Sequence, residues 1–265
     1  MRTARTRIRT KPAFSILLLS FLAAGKLSSG AQDGVSSVHS PLGVNQVVRN
    51  LEEHNRLRAK ALHRFEGTRV YSMHYRGFPH NYDAEMVVGV RYQSPASKEF
   101  TVISQSGSKF VIEHVFKKML ESEKEAGQEQ SRTALNQQNY EFAMAGYETA
   151  PEGARYVLTV TPRSKNKFLY RGKVWVDATD FAVVKIEAEP AQNPSFWIKK
   201  TEIRHTYKSV DGFWLPAENH SQSFIRLGGH ADLSIEYKDY KITAADPLSA
   251  PQNLAQRVPN TAAAQ

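Results

Sequence analysis

The chain contains no cysteine. A disulfide framework, a thiol nucleophile and a thiolate-ligated metal are therefore all excluded, and a hydrophobic core must hold the fold together. Lipid attachment at a cleavage site needs a cysteine there and is excluded with them. Familiar catalytic signatures are missing too: there is no His-Glu-x-x-His, no Gly-x-Ser-x-Gly and no Gly-rich phosphate loop, Gly228-Gly229 being a lone turn. Among the first 31 residues there is no acidic side chain. No run of ~20 apolar residues, the length that spans a bilayer, occurs either.

What is present begins at the N-terminus. Arg2, Arg5, Arg7, Arg9 and Lys11 precede the apolar run Ala13 to Ala24, and small residues follow up to Ser29-Gly30-Ala31. This is the three-part layout of a secretory signal peptide, residues 1–31, with the general secretion route favoured because no Arg pair is adjacent. An uncleaved anchor is the other reading of the run. The chain carries 35 basic and 26 acidic residues, net +9, but the leader holds six of the basic ones, leaving about +3. No basic stripe remains to neutralise phosphates, so nucleic acid is not an expected partner. With this leader the chain is expected to be exported, away from cytosolic ATP and NADH.

Residues 32–43 are short of large apolar side chains and read as a flexible lead-in. From Val44 the period is helical: Val44, Val47, Val48, Leu51, Leu57, Ala61, Leu62 and Phe65 share a face, and Gly67 ends the helix. Period-two strands follow at 68–76, 84–93 and 99–104, with turn-like 77–83 and 94–97 between them. A second helix is marked by Phe110, Val111, Val115, Met119 and Leu120. It runs into charged 121–129, and 126–139 reads as an exposed loop or frayed end.

The remainder predicts strands at 140–148, 155–161, 168–177, 181–189, 199–208, 213–224 and 230–242. Turns at Pro151-Glu152-Gly153, Asp211-Gly212 and Gly228-Gly229 join them into an antiparallel meander. Residues 244–265 read as a disordered tail. Several strands are apolar on both sides: Phe168, Tyr170, Val174 and Val176 oppose Leu169 and Trp175, while Val183 opposes Ala182, Val184 and Ile186. Both faces are therefore expected to be covered, one by helices and the other by a second layer or a greasy ligand.

The stretch from Tyr170 to Glu187, a strand ending in Asp177 that turns through Ala178-Thr179-Asp180 into Phe181-Ala182-Val183-Val184, resembles a hairpin of the LolA-like superfamily. These are periplasmic carriers, the outer-membrane lipoprotein-sorting proteins. Lys200-Thr201-Glu202-Ile203, Gly212-Phe213-Trp214-Leu215-Pro216 and Leu233-Ser234-Ile235-Glu236-Tyr237 add to the likeness, which covers Val44 to Thr243. The resemblance implies a mainly β, α+β fold over residues 44–243: an incomplete, strongly curved antiparallel β-barrel with helices closing its concave side. It further implies a monomeric, non-enzymatic carrier or chaperone without cofactor. Lipoprotein or lipid acyl chains would be the cargo, and a membrane-bound protein the donor or acceptor.

Met86, Val88, Val90 and Tyr92, with Phe100 and Val102, are the expected cavity wall. Phe196 and Trp197 either touch cargo, membrane or a receptor or, as the favoured reading, plug one end of the barrel. An envelope sensor that binds a membrane protein through the same fold is the alternative function. Three histidines on successive strands, His205, His220 and His230, offer the best metal grouping, yet carboxylates are not clustered beside them and no metal is expected. From the Asp211-Gly212 turn, His205 is expected opposite residue 218. Asp177 and Asp180 read as turn caps rather than a catalytic pair. Lys117-Lys118 and Lys199-Lys200 read as solvated faces, with contact to lipid head groups the lesser alternative.

Overall fold

The computed structural model describes residues 23–24 and 42–248, except 96, 129, 194, 195 and 227. The expected leader, most of the lead-in and most of the tail lie outside the described residues. Ala23–Ala24 forms a two-residue strand against Trp214 and Phe213.

Helix α1 (Val44–Ala61) starts at Gly43, whose carbonyl accepts from the amides of Gln46 and Val47. Arg58 and Lys60 occupy its last turn, where cations suit the helix dipole. The helix does not continue to Phe65 as the periodicity predicts. At Leu62 the chain passes straight into strand β1 (Leu62–Arg76), because Leu62 to Arg64 find ladder partners in the last strand, at Ala245 and Ala244. Leu62 and Phe65 are apolar in either period; sheet pairing decides between them.

Strands β2 (Tyr82–Gln93) and β3 (Ser97–Gly107) continue from β1 as hairpins. Gly107 ends β3 at φ +84, and a Cβ there would lie 2.2 Å from the Asp83 carbonyl oxygen. That close approach lets Ser108 donate its amide to the same carbonyl and redirects the chain into a helix. The helical segment comprises α2 (Lys109–Val111), a π turn (Ile112–Phe116) and α3 (Lys117–Gln128). Val111, Ile112, Val115, Phe116, Met119 and Leu120 are all buried, two rows with a spacing of four residues. A regular α-helix drifts by about 40° over four residues. The wider π turn takes up that drift and keeps both rows on the sheet.

A short helix α4 (Gln130–Thr133) and the buried Leu135 then lead to β4 (Tyr140–Ala150), so this stretch is not simply an exposed loop. Strands β5 (Gly153–Pro162), β6 (Tyr170–Asp177), β7 (Val183–Pro190), β8 (Ile198–Val210), β9 (Phe213–Ile225) and β10 (His230–Ala245) complete the chain. The sheet order is β3-β2-β1-β10-β9-β8-β7-β6-β5-β4, with antiparallel neighbours. The last strand thus returns to the first, joining the β1–β3 meander to the β4–β10 one. Strands β3 and β4 end the order unpaired with each other, so the barrel is incomplete.

Helices lie on one face of the sheet. There the segment 109–120 packs over β1, β2 and β10, around Tyr71, Met86, Val88 and Ile235. Helix α1 buries Val47, Val48 and Leu51 over β5–β8, around Leu158, Val174 and Ile186. Each such fully buried aliphatic side chain contributes ~1.5–3 kcal/mol.

The outer face differs from expectation in extent. A bulge pairs Val176 with Val183 but Trp175 with Lys185, so Val183 and Ile186 point inward together and Val184 points out. The outer apolar patch is only Val157, Trp175 and Val184, flanked by Trp214. Polar side chains cover it rather than a second layer: Lys185 lies 3.6 Å over the Trp175 ring, whose indole donates to Glu148.

Candidate functional site

Register places one inner row across the whole sheet: Gln105, Met86, Tyr71, Ile235, Asn219, His205, Ile186, Val174, Leu158 and Met144. Its centre is polar. Around Asn219 and His205 sit Thr201, Ser221 and Ser223, all buried, with the Thr201 and Ser223 hydroxyls 2.9 Å apart. A polar seam on β8 and β9 therefore separates the two large apolar cores. Four buried atoms near it have no hydrogen-bond partner: His205 Nε2 and the hydroxyls of Tyr170, Tyr207 and Tyr237. His205 stacks on Tyr207 at 4.6 Å and faces Tyr237 at 6.0 Å. Burial holds its imidazole down at about 3, helped by the Arg69 charge and opposed by Glu123, so the ring is neutral. Burial also pushes the three phenols up, and they remain donors at neutral pH.

Beside the seam a buried ionic cluster joins sheet to helix. Arg69 on β1 donates through Nη1 and Nη2 to Glu123 on α3 at 2.5 and 3.0 Å, and Lys98 on β3 reaches the same carboxylate at 2.7 Å. The Arg69 guanidinium also lies over the rings of Tyr237 and Phe100. Burial would raise the Glu123 carboxyl, but Arg69 and Lys98 outweigh it and hold the group below the usual carboxylate range. Burial depresses Lys98 against the pull of Glu123. The cluster is the buried ionic anchor of α3, whose Glu125 also pairs with Lys167 at the surface.

A second charged anchor holds α1. Arg58 is buried and donates to the Asp180 carbonyl, which His54 Nδ1 also approaches at 2.8 Å. Asp180 is itself fixed by its carboxylate, which accepts from Trp214 Nε1, and by its backbone N–H, which donates to Asp177 Oδ1. Asp177 and Asp180 thus act as the turn caps that the sequence predicts, with Asp177 also accepting from Thr179.

Arg58 Nε and Nη1 lack partners, and burial lowers the group to about 10. A buried, half-satisfied guanidinium contributes little net stability. Arg58→Met, which keeps the stem's packing, is expected to unfold at an equal or higher urea midpoint. A loss beyond about 1 kcal/mol would show that the Asp180 bond outweighs desolvation.

The expected wall residues divide. Met86, Val88 and Val90 line the inner face beneath the 109–120 helix, whereas Tyr92 joins a separate cluster with Phe65, Phe213 and Leu215. Phe100 packs half-buried beside the first group, while Val102, further along the edge strand, is 40% exposed. Phe196 and Trp197 do not plug the barrel: they are 75% and 40% exposed at the end of the sheet. Arg226 rather than a core covers the Phe196 ring.

The three histidines do not converge. His205 faces inward, and His220 and His230 face outward beside Asp232 at 4.0 and 3.6 Å. His205 pairs with Asn219 rather than residue 218, because β9 bulges between Pro216 and Glu218. Among the described residues no group of three His, Asp or Glu side chains is placed to hold a metal. Lys117 and Lys118 are solvated, in exposed pairs with Glu113 and Glu121.

No protein-family model matches the sequence, and no curated protein does. Solved structures are similar to it. A DUF1329 family protein from Desulfovibrio piger is 13% identical, covers 76% of this chain and 93% of its own, and has a TM-score of 0.39. A LolA superfamily protein from Nitrosomonas europaea is 11% identical over 76% and 94%, with a TM-score of 0.33. An outer membrane lipoprotein-sorting protein domain from Vibrio parahaemolyticus is 12% identical over 74% and 93%, with a TM-score of 0.36. At these identities the similarities concern the fold alone.

Arg69, Glu123 and Lys98 are among the residues that sequence reading overlooks, yet the first two leave a trace. Arg69 is in phase with the inward Tyr71 and Met73, and Glu123 is four residues beyond Met119 in the buried row 111, 115, 119. Opposite charges at two inward positions are the signal of a buried pair.

Proposed function

We propose that the chain is an exported, non-enzymatic carrier whose inner face takes a lipidated or otherwise hydrophobic ligand with a polar linkage near its middle. One observation carries this reading: two apolar cores, each roofed by a helix, flank a buried polar seam with unpartnered hydroxyls and an unpartnered imidazole nitrogen. Acyl chains gain ~0.8 kcal/mol for each buried CH₂. They replace the contacts of Val115, Phe116 and Met119 with Met86, Val88 and Val90 when the helix lifts. Phe100 and Val102 extend that wall toward the sheet edge, Tyr92 closes its far end, and Phe196 and Trp197 meet the cargo outside. An ester or amide of the cargo accepts from Tyr207 or Tyr237, which otherwise stay unpaired in a dry interior. Release requires parting Glu123 from Arg69.

The test is mass spectrometry of what co-purifies with the exported protein, alongside the double variant Tyr207→Phe/Tyr237→Phe. Stoichiometric acyl lipid or lipopeptide is expected with the parent. The variant, which loses only unpartnered hydroxyls, should keep or gain stability while retaining roughly tenfold less cargo, about 1.4 kcal/mol of recognition. Absence of lipid together with a firmly attached protein partner would replace the carrier by the sensor.

A further inference from the structure

The two ends of the sheet differ in chemistry. At one end lie the connections 77–81, 163–169, 191–197 and 226–229, and they contain Arg163, Lys165, Lys167 and Arg226 but no Asp or Glu. Lys109, Lys199 and Lys200 open the next elements there. At the opposite end the connections 94–96, 151–152, 178–182 and 211–212 contain Glu152, Asp180 and Asp211 and no Lys or Arg.

The same basic end gathers exposed aromatics. Phe78 is 77% exposed, Phe196 75%, Phe110 51%, Trp197 40% and Phe224 38%. The other exposed large apolar side chains, Val102, Ile103, Met144 and Tyr147, lie on the two edge strands. The loops form one rim. The amide of Ala191 donates to Leu169, and the amide of Arg226 donates to Trp197. A Cβ on Gly229, at φ +103, would meet Gly77 Cα at 2.8 Å, and Tyr75 donates to the Phe78 carbonyl while stacking on Tyr82, whose ring meets Phe110 at a tilt. Several cations lean back onto acids of the strands and helices, Lys167 to Glu125, Arg163 to Glu141 and Lys200 to Glu189. Lys165 and Lys199 remain exposed, and Arg226 lies over the Phe196 ring while donating to its carbonyl.

We infer that this aromatic, basic rim docks the protein end-on against a phospholipid surface carrying anionic head groups. Trp favours the head-group layer, and exposed Phe rings gain by entering the boundary between head groups and acyl chains. Lysines beside them gain from anionic lipid within a Debye length. The acidic opposite end is repelled by the same surface, so the charge asymmetry sets the orientation as well as the attraction.

Vesicle flotation tests the inference, with exported protein and vesicles of phosphatidylcholine alone or mixed equally with phosphatidylglycerol. Binding is expected to the mixed vesicles, weak to the neutral ones, and reduced by added salt. Phe78→Ser/Phe110→Ser and Lys165→Glu/Lys199→Glu alter exposed side chains that the cargo reading does not use, so circular dichroism should be unchanged. Each pair should weaken flotation by roughly tenfold or more. Parent protein that floats with neither vesicle overturns the inference, and so do variants that float as the parent does, since all share one N-terminus. Loss of an acidic protein partner with vesicle binding intact would overturn it as well. Co-purifying lipid measured on the same samples separates the two readings: a docking failure leaves cargo content untouched, and a carriage failure leaves flotation untouched.

Discussion

Glu123→Gln is expected to cost about 3–5 kcal/mol of folding stability, the usual penalty for breaking a buried ion pair from one side. The Arg69 guanidinium then stays in the interior with Tyr71 and Tyr237 around it and no counter-charge, and Lys98 loses the same acceptor. For a domain of about 200 residues that corresponds to a fall of roughly 10 °C in Tm. The double variant Arg69→Met/Glu123→Leu should recover most of the loss. It removes both charges together, and Lys98, with its side chain 11% exposed, can carry its ammonium outward along the edge strand. Urea unfolding of the parent, both single variants and the double variant gives the coupling energy directly. A single-variant loss below about 1 kcal/mol would mean that the helix is held by its apolar rows alone. Glu123 has a folded-state value below its unfolded one, so its contribution is complete above the unfolded carboxylate range and is lost as pH falls toward the folded value.

That cluster is also where the sequence is least transparent. Long amphipathic patterns carried most of the fold: the rows of the 109–120 helix, the alternation of Ala84, Met86, Val88 and Val90, and the Asp-Gly turn at 211–212 each have one dominant reading. The order of strands is another matter. Nothing local in His230 to Ala245 says that it pairs with Leu62 to Arg76, since pairing partners are chosen by the whole sheet. Bulges were equally hidden. One at Val184 reversed the side to which that residue points, and one at Ala217 moved His205 by one partner.

The candidate site was legible in its apolar half and missed in its polar half. Val88 or Met86 on an alternating strand reads as inward whatever else is true. Asn219, Ser221 and Ser223 have the same alternation with the opposite polarity, and a period-two polar row is ordinarily the solvent side. Here β9 lies in the middle of the order, its inner face is roofed, and its polar row is the buried one. The loop aromatics Phe196 and Trp197 fail for a related reason, because apolarity alone argues for burial and only the position of the loop beyond the sheet exposes them.

His205 supplies the second large effect, a loss of stability on mild acidification. Its imidazole is held at about 3 by burial, with the Arg69 charge adding to the shift and Glu123 partly offsetting it. Tyr207 and Tyr237, packed against it, are neutral throughout the range. In the unfolded chain the same ring takes up a proton near the ordinary value of about 6.5. Between those two values the unfolded state binds the extra proton, so stability is full above pH of about 6.5 and falls by about 1.4 kcal/mol for each unit below it. Going from neutral pH to about pH 4.5 should therefore remove about 2–3 kcal/mol before the Glu123 contribution begins to fade. His205→Phe keeps the stacked ring and removes the titration. Its urea midpoints should stay nearly flat over that window, with a residual slope from His54, which burial and Arg58 also lower. If the variant keeps the parent's slope, the acid sensitivity resides elsewhere. A flat profile would instead identify the neutral His205 imidazole, with its unpartnered Nε2, as the group in the seam that acid opens first. The site read here as the cargo's polar contact would then also be the fold's weakest point under acid.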